Sequence, residues 1–336
     1  MSKDVTGPDL TGQQDLPARV EEFIGQELRD VDEIYFAELA SANPYVTDVL
    51  GHVTRFRGKR LRPMLLLLSA SATGRIHHSH KTLAAVVEMI HSATLVHDDV
   101  LDEAETRRHV ATVNARWNNE TSVLFGDYLF THAFHLASTL ETTYACRTIG
   151  RATNIICEGE LSQIRERGNF DLGEEKYLQI INGKTAELCA VCCLLGAHYA
   201  GGDAQTVESL ESYGRNLGIA FQIADDLLDI LGSESETGKS LGSDFAKQKL
   251  TLPLIRLVEH ADEPDAARIR ELLSGADAKS WSQLLAFLET SDAVEYTRAK
   301  AQHYASSACQ CLAGIPNSPG KRMLSEIAEF ATRRTF

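Results

Sequence analysis

Apolar residues recur at three- and four-residue spacing along several long stretches of the chain, whereas sustained two-residue alternation is scarce. This periodicity gives a helix one apolar face, so it predicts α-helices rather than strands. No proline occurs between Pro63 and Pro253, and Leu, Ala, Glu and Ile dominate that interval, as long helices favour. We therefore predict an all-α bundle, with helices that include residues 88–101, 123–138, 177–195 and 207–231.

Turn-forming residues separate these stretches and indicate the domain organisation. Residues such as Gly, Ser, Asn, Asp and Pro cluster at 72–80, 167–173, 200–204, 232–242 and 314–320. None of these clusters is typical of an interdomain linker. We expect a single domain over residues 17–336, with Pro17 in the first turn of the first helix and residues 1–16 as a flexible tail.

Composition and charge exclude several classes of protein. Hydrophobic residues make up 43% of the 336 residues, yet no apolar run reaches the ~18 residues that predict a membrane span. The N-terminus lacks the basic and apolar regions of a secretory signal, which indicates a cytoplasmic protein. A formal net charge of −14 argues against nucleic acid as a partner. The seven cysteines are an odd number and lie mostly in apolar stretches, so we expect core thiols.

Two acidic clusters of identical spacing stand out, and each follows an apolar helical stretch. At ~100° per residue, the first and last aspartates of each cluster lie about 40° apart on one helical face. Like charges at this spacing repel each other, so a bound cation is expected there. An all-oxygen site suits Mg²⁺. A solvated helix end would explain one cluster equally well, but two of them favour a metal site with the ligands Asp98, Asp99, Asp102, Asp225, Asp226 and Asp229.

A di-iron carboxylate bundle is a second metal hypothesis, because Glu88 and His91 form a Glu-x-x-His element. Such bundles need two of these elements on separate helices. The sequence offers no second one, so this hypothesis is disfavoured.

Basic motifs accompany both acidic clusters. Each motif alone is typical of a solvated surface, but on an acidic protein they together predict a lining for a polyanion such as a diphosphate, since guanidinium groups pair with phosphate oxygens. The motifs are Gly58-Lys59-Arg60-Leu61-Arg62-Pro63, Arg107-Arg108, Lys184-Thr185, and Thr237-Gly238-Lys239 with Lys249 beyond it.

In their order and spacing, these motifs resemble those of the trans-type (E-type) polyprenyl diphosphate synthases of the isoprenoid synthase class. The resemblance extends from about residue 25 to residue 336 and implies a helical bundle around a deep central cavity, as a homodimer. The stretches that carry it are 58–63, 88–108, 119–130, 159–163, 184–185, 221–229 and 238–253.

The resemblance also implies roles for individual residues. It implies a cluster of Mg²⁺ ions, about three in number, with Asp98, Asp102 and Asp225 as principal ligands and Asp99, Asp226 and Asp229 as ligands or their support. The residues implied to bind the allylic diphosphate are Arg107, Lys184, Lys239 and Lys249. Those implied to form a metal-free pocket for isopentenyl diphosphate are Lys59, Arg62, His91 and Arg108, with Arg60 adjacent.

The implied reaction is head-to-tail condensation of isopentenyl diphosphate onto an allylic diphosphate, through ionisation, condensation and elimination. Oxygens near Lys184, Thr185 and Gln222 would stabilise the carbocation, and the released diphosphate would take the proton. This chemistry needs no side-chain nucleophile, in agreement with the absence of a nucleophile motif. Two positions depart from the family pattern, because His109 and Arg57 stand where relatives commonly have Gly, which brings the local loop geometry into question.

The resemblance implies that product length depends on the residues one turn before Asp98, where this chain has the small Ala93 and Thr94. An isoprene unit extends ~5 Å and a helix of about 20 residues ~30 Å, so an open shaft holds roughly six units or more. We therefore expect a product of about thirty to fifty carbons, a lipid that would bring the enzyme near membranes. Ring positions that could instead close the shaft are Phe125, Phe130 and Phe134.

Three alternatives stay open at this point. An aromatic residue deeper in the shaft would give a short-chain synthase that makes geranylgeranyl or farnesyl diphosphate. A class I terpene cyclase shares the first cluster, but Asp229, Lys59 and Arg62 weigh against it. A non-catalytic partner subunit would typically lose its acidic clusters, whereas both are intact here.

Overall fold

The computed structural model describes residues 16–56, 58–232, 242–275 and 277–333. Helices account for most of these residues, and the strands are limited to one short antiparallel hairpin, β1 (Thr106–Arg107) and β2 (Val110–Ala111). The α-helices are α1 (Leu16–Glu38), α2 (Pro44–Val53), α3 (Leu61–Thr73), α4 (His78–Leu101), α5 (Val113–Arg116), α6 (Asn119–Ser138), α7 (Tyr144–Arg165), α8 (Glu174–Ile181), α9 (Glu187–Tyr199), α10 (Ala204–Leu231), α11 (Ser243–Ala246), α12 (Leu252–His260), α13 (Glu263–Gly275), α14 (Ala278–Thr290), α15 (Ala293–Cys311) and α16 (Pro319–Arg333).

The predicted all-α class is confirmed, and three of the four predicted helices each lie within one observed helix. Pro17 is in the first turn of α1, as expected, and the tail at 1–16 lies almost wholly outside the described residues. The predicted helix at 177–195 is not continuous. A π-helical turn, Asn182–Ala186, separates α8 from α9, and a 3₁₀ turn, Thr54–Phe56, follows α2.

The main hydrophobic core surrounds α3 and the first two thirds of α4. Four consecutive leucines, residues 65–68, are all fully buried in α3, so neighbouring helices cover every side of it. Such all-round burial explains why the α3 pattern is apolar rather than amphipathic. Around this centre pack α1, α6, α7, α9, α10, α15 and α16.

A second hydrophobic cluster lies toward the C-terminal half of α10. It combines α8 with α11 to α15 around Ile219, Ile223 and Ile230 of α10. The N-terminal half of α10 belongs to the main core through Leu210, Tyr213 and Leu217. One 28-residue helix therefore runs through both clusters.

One helical run among the described residues, Glu174–Tyr199, has the length and mean hydropathy, 1.4, to cross a membrane. Because 78% of its apolar stretch is buried inside the protein, this run packs as a core helix does. Its cysteines Cys189, Cys192 and Cys193 are buried, and all seven cysteines of the chain are free thiols.

Candidate active site

Both acidic clusters lie at the C-terminal ends of long helices, the first on α4 and the second on α10. The segment that follows α10 brings these ends together. Asp229 accepts hydrogen bonds from the Ser243 hydroxyl at 2.8 Å and from the backbone N–H groups of Ser243 and Asp244 at 3.2 and 3.1 Å. From this anchored segment, Lys249 donates to both carboxylate oxygens of Asp102 at 2.9 and 3.0 Å. This segment therefore joins the two clusters, and we call the region between Asp102 and Asp229 the common mouth.

The first cluster contains three carboxylates in three different environments. Asp99 is 2% exposed and pairs with Arg107, whose Nη2 and Nε donate to Asp99 Oδ1 at 2.8 and 3.0 Å. Burial raises the pKa of Asp98, and Lys184 offsets only part of that increase. Burial also acts to raise the pKa of Asp102, but Lys249 and Lys247 outweigh it and hold this pKa at about 2.

The second cluster is equally divided. Asp226 is buried, accepts hydrogen bonds from the Tyr177 hydroxyl at 2.5 Å and from Gln222 Nε2 at 2.7 Å, and has a pKa far above its usual range because of burial and the neighbouring Asp244. Asp229 accepts the hydrogen bonds from Ser243 and Asp244 that anchor the segment after α10, which we call the Ser243 segment. Asp225 is exposed, unlike the other five aspartates.

This division bears on which carboxylates could hold a metal ion. Among the described residues, no group of three His, Cys, Asp or Glu side chains is arranged to bind a metal by itself. Metal ions would therefore need further oxygens, such as those of a diphosphate and water, which Mg²⁺ commonly retains. Asp98, Asp102 and Asp225 fit as ligands because their side chains are at least partly exposed. By contrast, Asp99 and Asp226 are buried against their partners, and Asp229 holds the backbone of the Ser243 segment. The partners of Asp102 are the ends of flexible lysine and arginine side chains.

The π-helical turn Asn182–Ala186 carries Lys184 and Thr185 between the two clusters. Lys184 Nζ donates to Gln163 Oε1 at 2.8 Å, is 2.5 Å from Glu160 Oε2, and lies 4.0 Å from Asp98. Thr185 donates its hydroxyl proton to Gln222 Oε1 at 2.8 Å, and Gln222 in turn contacts Asp226. One turn of wide helix thus connects both clusters, and π-turns are frequent at functional sites.

A second positive region forms where the β1–β2 hairpin meets the loop before α3. The guanidinium of Arg108 lies so close to Gly58 that a Cβ on Gly58 would be 2.6 and 2.7 Å from its two Nη atoms. Burial lowers the pKa of His91 well below its usual value, with further lowering by Arg62, Arg107 and Arg108. The Arg62 Nε–H is buried without a hydrogen-bond partner within the described part of the chain. The Arg62 Nε–H is thus an unmatched buried donor near a neutral imidazole and the guanidinium groups of Arg107 and Arg108, an arrangement that suits an anion.

The hairpin is held from α2 by a doubly bonded histidine. His52 Nε2 lies 2.7 Å from the Ala111 carbonyl oxygen, and Arg116 Nη1 lies 3.0 Å from His52 Nδ1. Because a carbonyl can only accept and a guanidinium can only donate, Nε2 carries the proton and Nδ1 accepts. Arg108 and His109 at the hairpin turn have φ values of 53° and 64°. The left-handed backbone at His109 is one that favours Gly, which has no side chain to strain this conformation.

Some predicted residues lie apart from these regions. Arg60 binds Asp32 of α1 at 2.6 Å and the Leu28 carbonyl at 3.4 Å, so its charge is neutralised away from the pocket and it anchors α1. Lys59 is exposed beside Gly58. Lys239 and Arg57 lie outside the described residues.

The residues expected to line a shaft differ in exposure. Ala93 is fully buried, whereas Thr94 is partly exposed and donates its hydroxyl proton to the His91 carbonyl at 2.8 Å. On α6, Phe125 is buried. The Phe130 ring stacks on His97 with 6.1 Å between centroids, and Phe134 is half-buried.

Sequence reasoning missed several side chains that contact the predicted residues. Each of them contacts a predicted residue that is 14 or more positions away in the chain, the smallest separation being that of Ser243 from Asp229. No local spacing signals such contacts. The missed residues are Glu160, Gln163, Arg167, Tyr177, Ser243 and Lys247.

Comparison with known proteins agrees with this geometry. Residues 43–289 match the family model described as polyprenyl synthetase. The chain is 33% identical to an octaprenyl diphosphate synthase of Escherichia coli over 317 residues, which cover 94% of this chain and 98% of that protein.

Two solved structures share the fold. A decaprenyl diphosphate synthase from Rhodobacter capsulatus has a TM-score of 0.90 at 36% identity, with 95% of this chain and 99% of that chain covered. A polyprenyl synthase from Caulobacter crescentus, complexed with calcium and isoprenyl diphosphate, has a TM-score of 0.90 at 33% identity, with 98% and 100% covered. Members of this family use a divalent metal ion. The chain belongs to the polyprenyl synthetase family and is a prenyltransferase.

Proposed function

We propose that this protein condenses isopentenyl diphosphate head-to-tail onto an allylic diphosphate and makes a long-chain all-trans polyprenyl diphosphate. The observation that carries the proposal is the common mouth, where Asp98 and Asp102 of one helix meet the segment anchored by Asp229 of another. Cations approach the first cluster from three separate segments. Lys184 lies near Asp98 and Lys249 binds Asp102. Arg107 binds the neighbouring Asp99.

The allylic diphosphate would bind at this mouth. Magnesium ions, about three of them, would supply positive charge to the departing diphosphate when bound by Asp98, Asp102 and Asp225. Lys184 and Lys249 already lie beside two of these carboxylates, so they can donate to the diphosphate without rearrangement of the backbone. Arg107 is oriented by Asp99 through Nε and Nη2, and its Nη1 is not part of that pair. Fixed donors of this kind stabilise charge that develops on a leaving group.

Isopentenyl diphosphate would bind in the pocket of Arg62, His91, Arg108 and Lys59, without metal. A neutral His91 can donate one N–H to a phosphate oxygen, and the buried Arg62 Nε–H would gain the acceptor that it lacks. Arginine pairs with phosphate oxygens in a fixed fork geometry, which would orient the substrate.

Between the two diphosphates, oxygen atoms would face the carbocation. Thr185 and Gln222 are linked by a 2.8 Å hydrogen bond and stand next to Lys184 on the π-helical turn. Their oxygens carry partial negative charge that favours a cation without capturing it. The released diphosphate would accept the proton that leaves carbon as the new double bond forms, so no dedicated side-chain base is required.

A long product is supported by the small side chain of Thr94 and by the relatives, which are an octaprenyl and a decaprenyl diphosphate synthase. Thr94 is one turn from Asp98 and partly exposed, whereas a bulky residue here would obstruct a growing chain. The proposed length is about thirty to fifty carbons.

We also propose that the protein is a cytoplasmic homodimer with one synthase domain over residues 17–336. Large apolar side chains on α6 and α7 support a self-association surface. Leu124 is 68% exposed and adjoins the exposed Val123, and Leu161 is 66% exposed one turn before the exposed Ile164, so each helix presents a pair of exposed apolar side chains.

A diphosphate-release assay tests the reaction type. Purified protein with Mg²⁺, isopentenyl diphosphate and farnesyl diphosphate is expected to release diphosphate only when both substrates are present. Release from farnesyl diphosphate alone would instead identify a terpene cyclase. No release under any combination, in protein that is folded, would identify a non-catalytic subunit.

A further inference from the structure

Three cations converge on the single carboxylate of Asp102. Lys249 Nζ is 2.9 Å from Oδ1, Lys247 Nζ is 3.2 Å from Oδ2, and Arg167 Nη2 is 2.8 Å from Oδ1. We call these three residues the Asp102 triad. Three positive charges share one negative charge, an excess that is costly for half-buried groups unless another anion is present.

Backbone contacts fix the triad as a unit. The Gly168 N–H donates to the Gln248 carbonyl at 3.0 Å, which joins the loop that carries Arg167 to the segment between Lys247 and Lys249. The same segment is anchored by Asp229 through Ser243 and Asp244. The three cations therefore come from two segments that are bound to each other and to the second acidic cluster.

The donors of the triad are not all used. Arg167 Nε is buried and has no hydrogen-bond partner among the described residues, although Nη2 of the same side chain binds Asp102. A buried guanidinium N–H without an acceptor is unfavourable. An incoming oxygen beside Asp102 would satisfy it.

We propose that Arg167 and Lys247 are further binding residues for the allylic diphosphate. This inference rests on the proposed function of the same mouth. When Asp102 turns its oxygens to a metal ion, it can no longer hold three cations. Arg167 and Lys247, with 28% and 32% of their side chains exposed, can then follow the diphosphate oxygens that arrive with the metal. Charge-assisted hydrogen bonds to a phosphate are among the strong ones.

The alternative is that Arg167 and Lys247 only restrain Asp102. In that case they compete with metal, and their removal would strengthen metal-dependent binding rather than weaken it. The two roles therefore predict changes of opposite sign.

Calorimetric titration with inorganic diphosphate in the presence of Mg²⁺ measures the sign without turnover. We expect Arg167→Gln and Lys247→Gln each to raise the Kd about tenfold, with the same increase in KM for the allylic substrate and no change in KM for isopentenyl diphosphate. Arg19→Gln is the matched control. Arg19 lies on α1, its side chain is 38% exposed, and it pairs with one carboxylate, that of Glu326, at 2.6 Å.

A Kd that is unchanged or lower in both variants would overturn the proposal. If Arg167→Gln lowers the melting temperature, Arg167→Lys keeps the charge and is expected to recover most of the binding, and Lys247→Gln is an independent variant on a different segment. Because the titration needs no catalysis, an enzyme that binds diphosphate normally but forms no product would contradict the proposed function and not this inference.

Discussion

At Gly58, the absence of a side chain leaves room for two motifs to meet. The Arg108 guanidinium occupies the space in which a side chain on Gly58 would stand, at 2.6 and 2.7 Å from the Cβ position. A side chain at residue 58 would therefore displace the guanidinium, the flexible end of the Arg108 side chain, from the place where the motif 58–63 meets the hairpin.

We predict that Gly58→Ala raises KM for isopentenyl diphosphate by about tenfold, because a displaced Arg108 loses one charge-assisted contact. KM for the allylic substrate should change little, since Arg107 remains bound to Asp99. Gly51→Ala is the control, as a Cβ there meets no atom within 4 Å. Steady-state kinetics with each substrate varied in turn measure both KM values. Equal KM values for isopentenyl diphosphate in Gly58→Ala and Gly51→Ala would contradict a role for the contact between Gly58 and Arg108.

His80 gives a residue-scale prediction about pH. It is fully buried at the start of α4, and burial, with the nearby His77, lowers its pKa from 6.5 to about 4. Above pH 6.5 neither the folded nor the unfolded state is protonated here, so its contribution to stability is complete. As the pH falls from 6.5 toward 4, the unfolded state takes up a proton first, and the free energy of unfolding decreases by about 1.4 kcal/mol per pH unit.

Between pH 7 and pH 5, wild-type protein should therefore lose about 2 kcal/mol more stability than His80→Gln. Gln can still accept the hydrogen bond that the His77 N–H donates to His80 Nδ1 at 2.8 Å. Urea unfolding at several pH values makes the comparison, with the exposed neighbour His78→Gln as control. Parallel stability profiles for wild type and His80→Gln would refute the neutral buried state.

At the scale of elements, the π-helical turn Asn182–Ala186 is what positions Lys184. Its backbone lies against α7, where a Cβ on Gly159 would be 2.6 Å from the backbone nitrogen of Lys184. Glu160 and Gln163, which hold the Lys184 ammonium group, follow on that same helix. Close approach of backbone to backbone is thus part of the site.

Gly159→Ala should push this turn away from α7 and lower kcat by about tenfold or more, because Lys184 is proposed to bind the departing diphosphate. Gly150→Ala lies on the same helix with open space at its Cβ, and is expected to retain wild-type kcat. Single-turnover rates at saturating substrates distinguish the two variants. A Gly159→Ala enzyme with wild-type rates would show that the turn tolerates displacement.

The sequence predicts the helices well where periodicity decides the structure. The predicted stretch at 207–231 lies in α10 and that at 123–138 in α6. The π-turn inside 177–195 and the β1–β2 hairpin were not predicted. An inserted residue in a helix leaves the apolar pattern almost unchanged, and strands of two residues are too short for any alternation, so neither has a local signal.

At the scale of the whole molecule, the proposed product length depends on the space beside the α4 residues one turn before Asp98. Thr94 has surface in accessible space, whereas Ala93 is fully packed in the core of α4. The two positions that sequence reasoning treated together are thus physically different.

We predict that Thr94→Phe shortens the product by several isoprene units while the protein remains folded. Ala93→Phe should instead destabilise the protein by about 1–3 kcal/mol, because a ring must enter a filled core. Chromatography of the products and urea unfolding of both variants test this pair. Unchanged product length in Thr94→Phe would place the doorway elsewhere.

The composition of the site shows where sequence reasoning ends. The six aspartates, Arg107 and Lys184 were predicted because they belong to motifs whose spacing repeats or matches a family. Arg167 and Lys247 were not predicted. Each contacts Asp102 across a long stretch of chain, 65 positions for Arg167 (167 − 102) and 145 positions for Lys247 (247 − 102). Such contacts arise only once α4, α7 and the segment after α10 meet at one mouth.

The central claim is that this mouth adds isopentenyl units repeatedly to one allylic primer. The most direct test is chromatographic analysis of the products made from labelled isopentenyl diphosphate and farnesyl diphosphate with Mg²⁺. The expected product is an all-trans polyprenyl diphosphate of about thirty to fifty carbons, with one diphosphate released for each unit added. A labelled product that stops after a single addition would contradict the long-chain claim, and the absence of any labelled prenyl product would contradict the condensation itself.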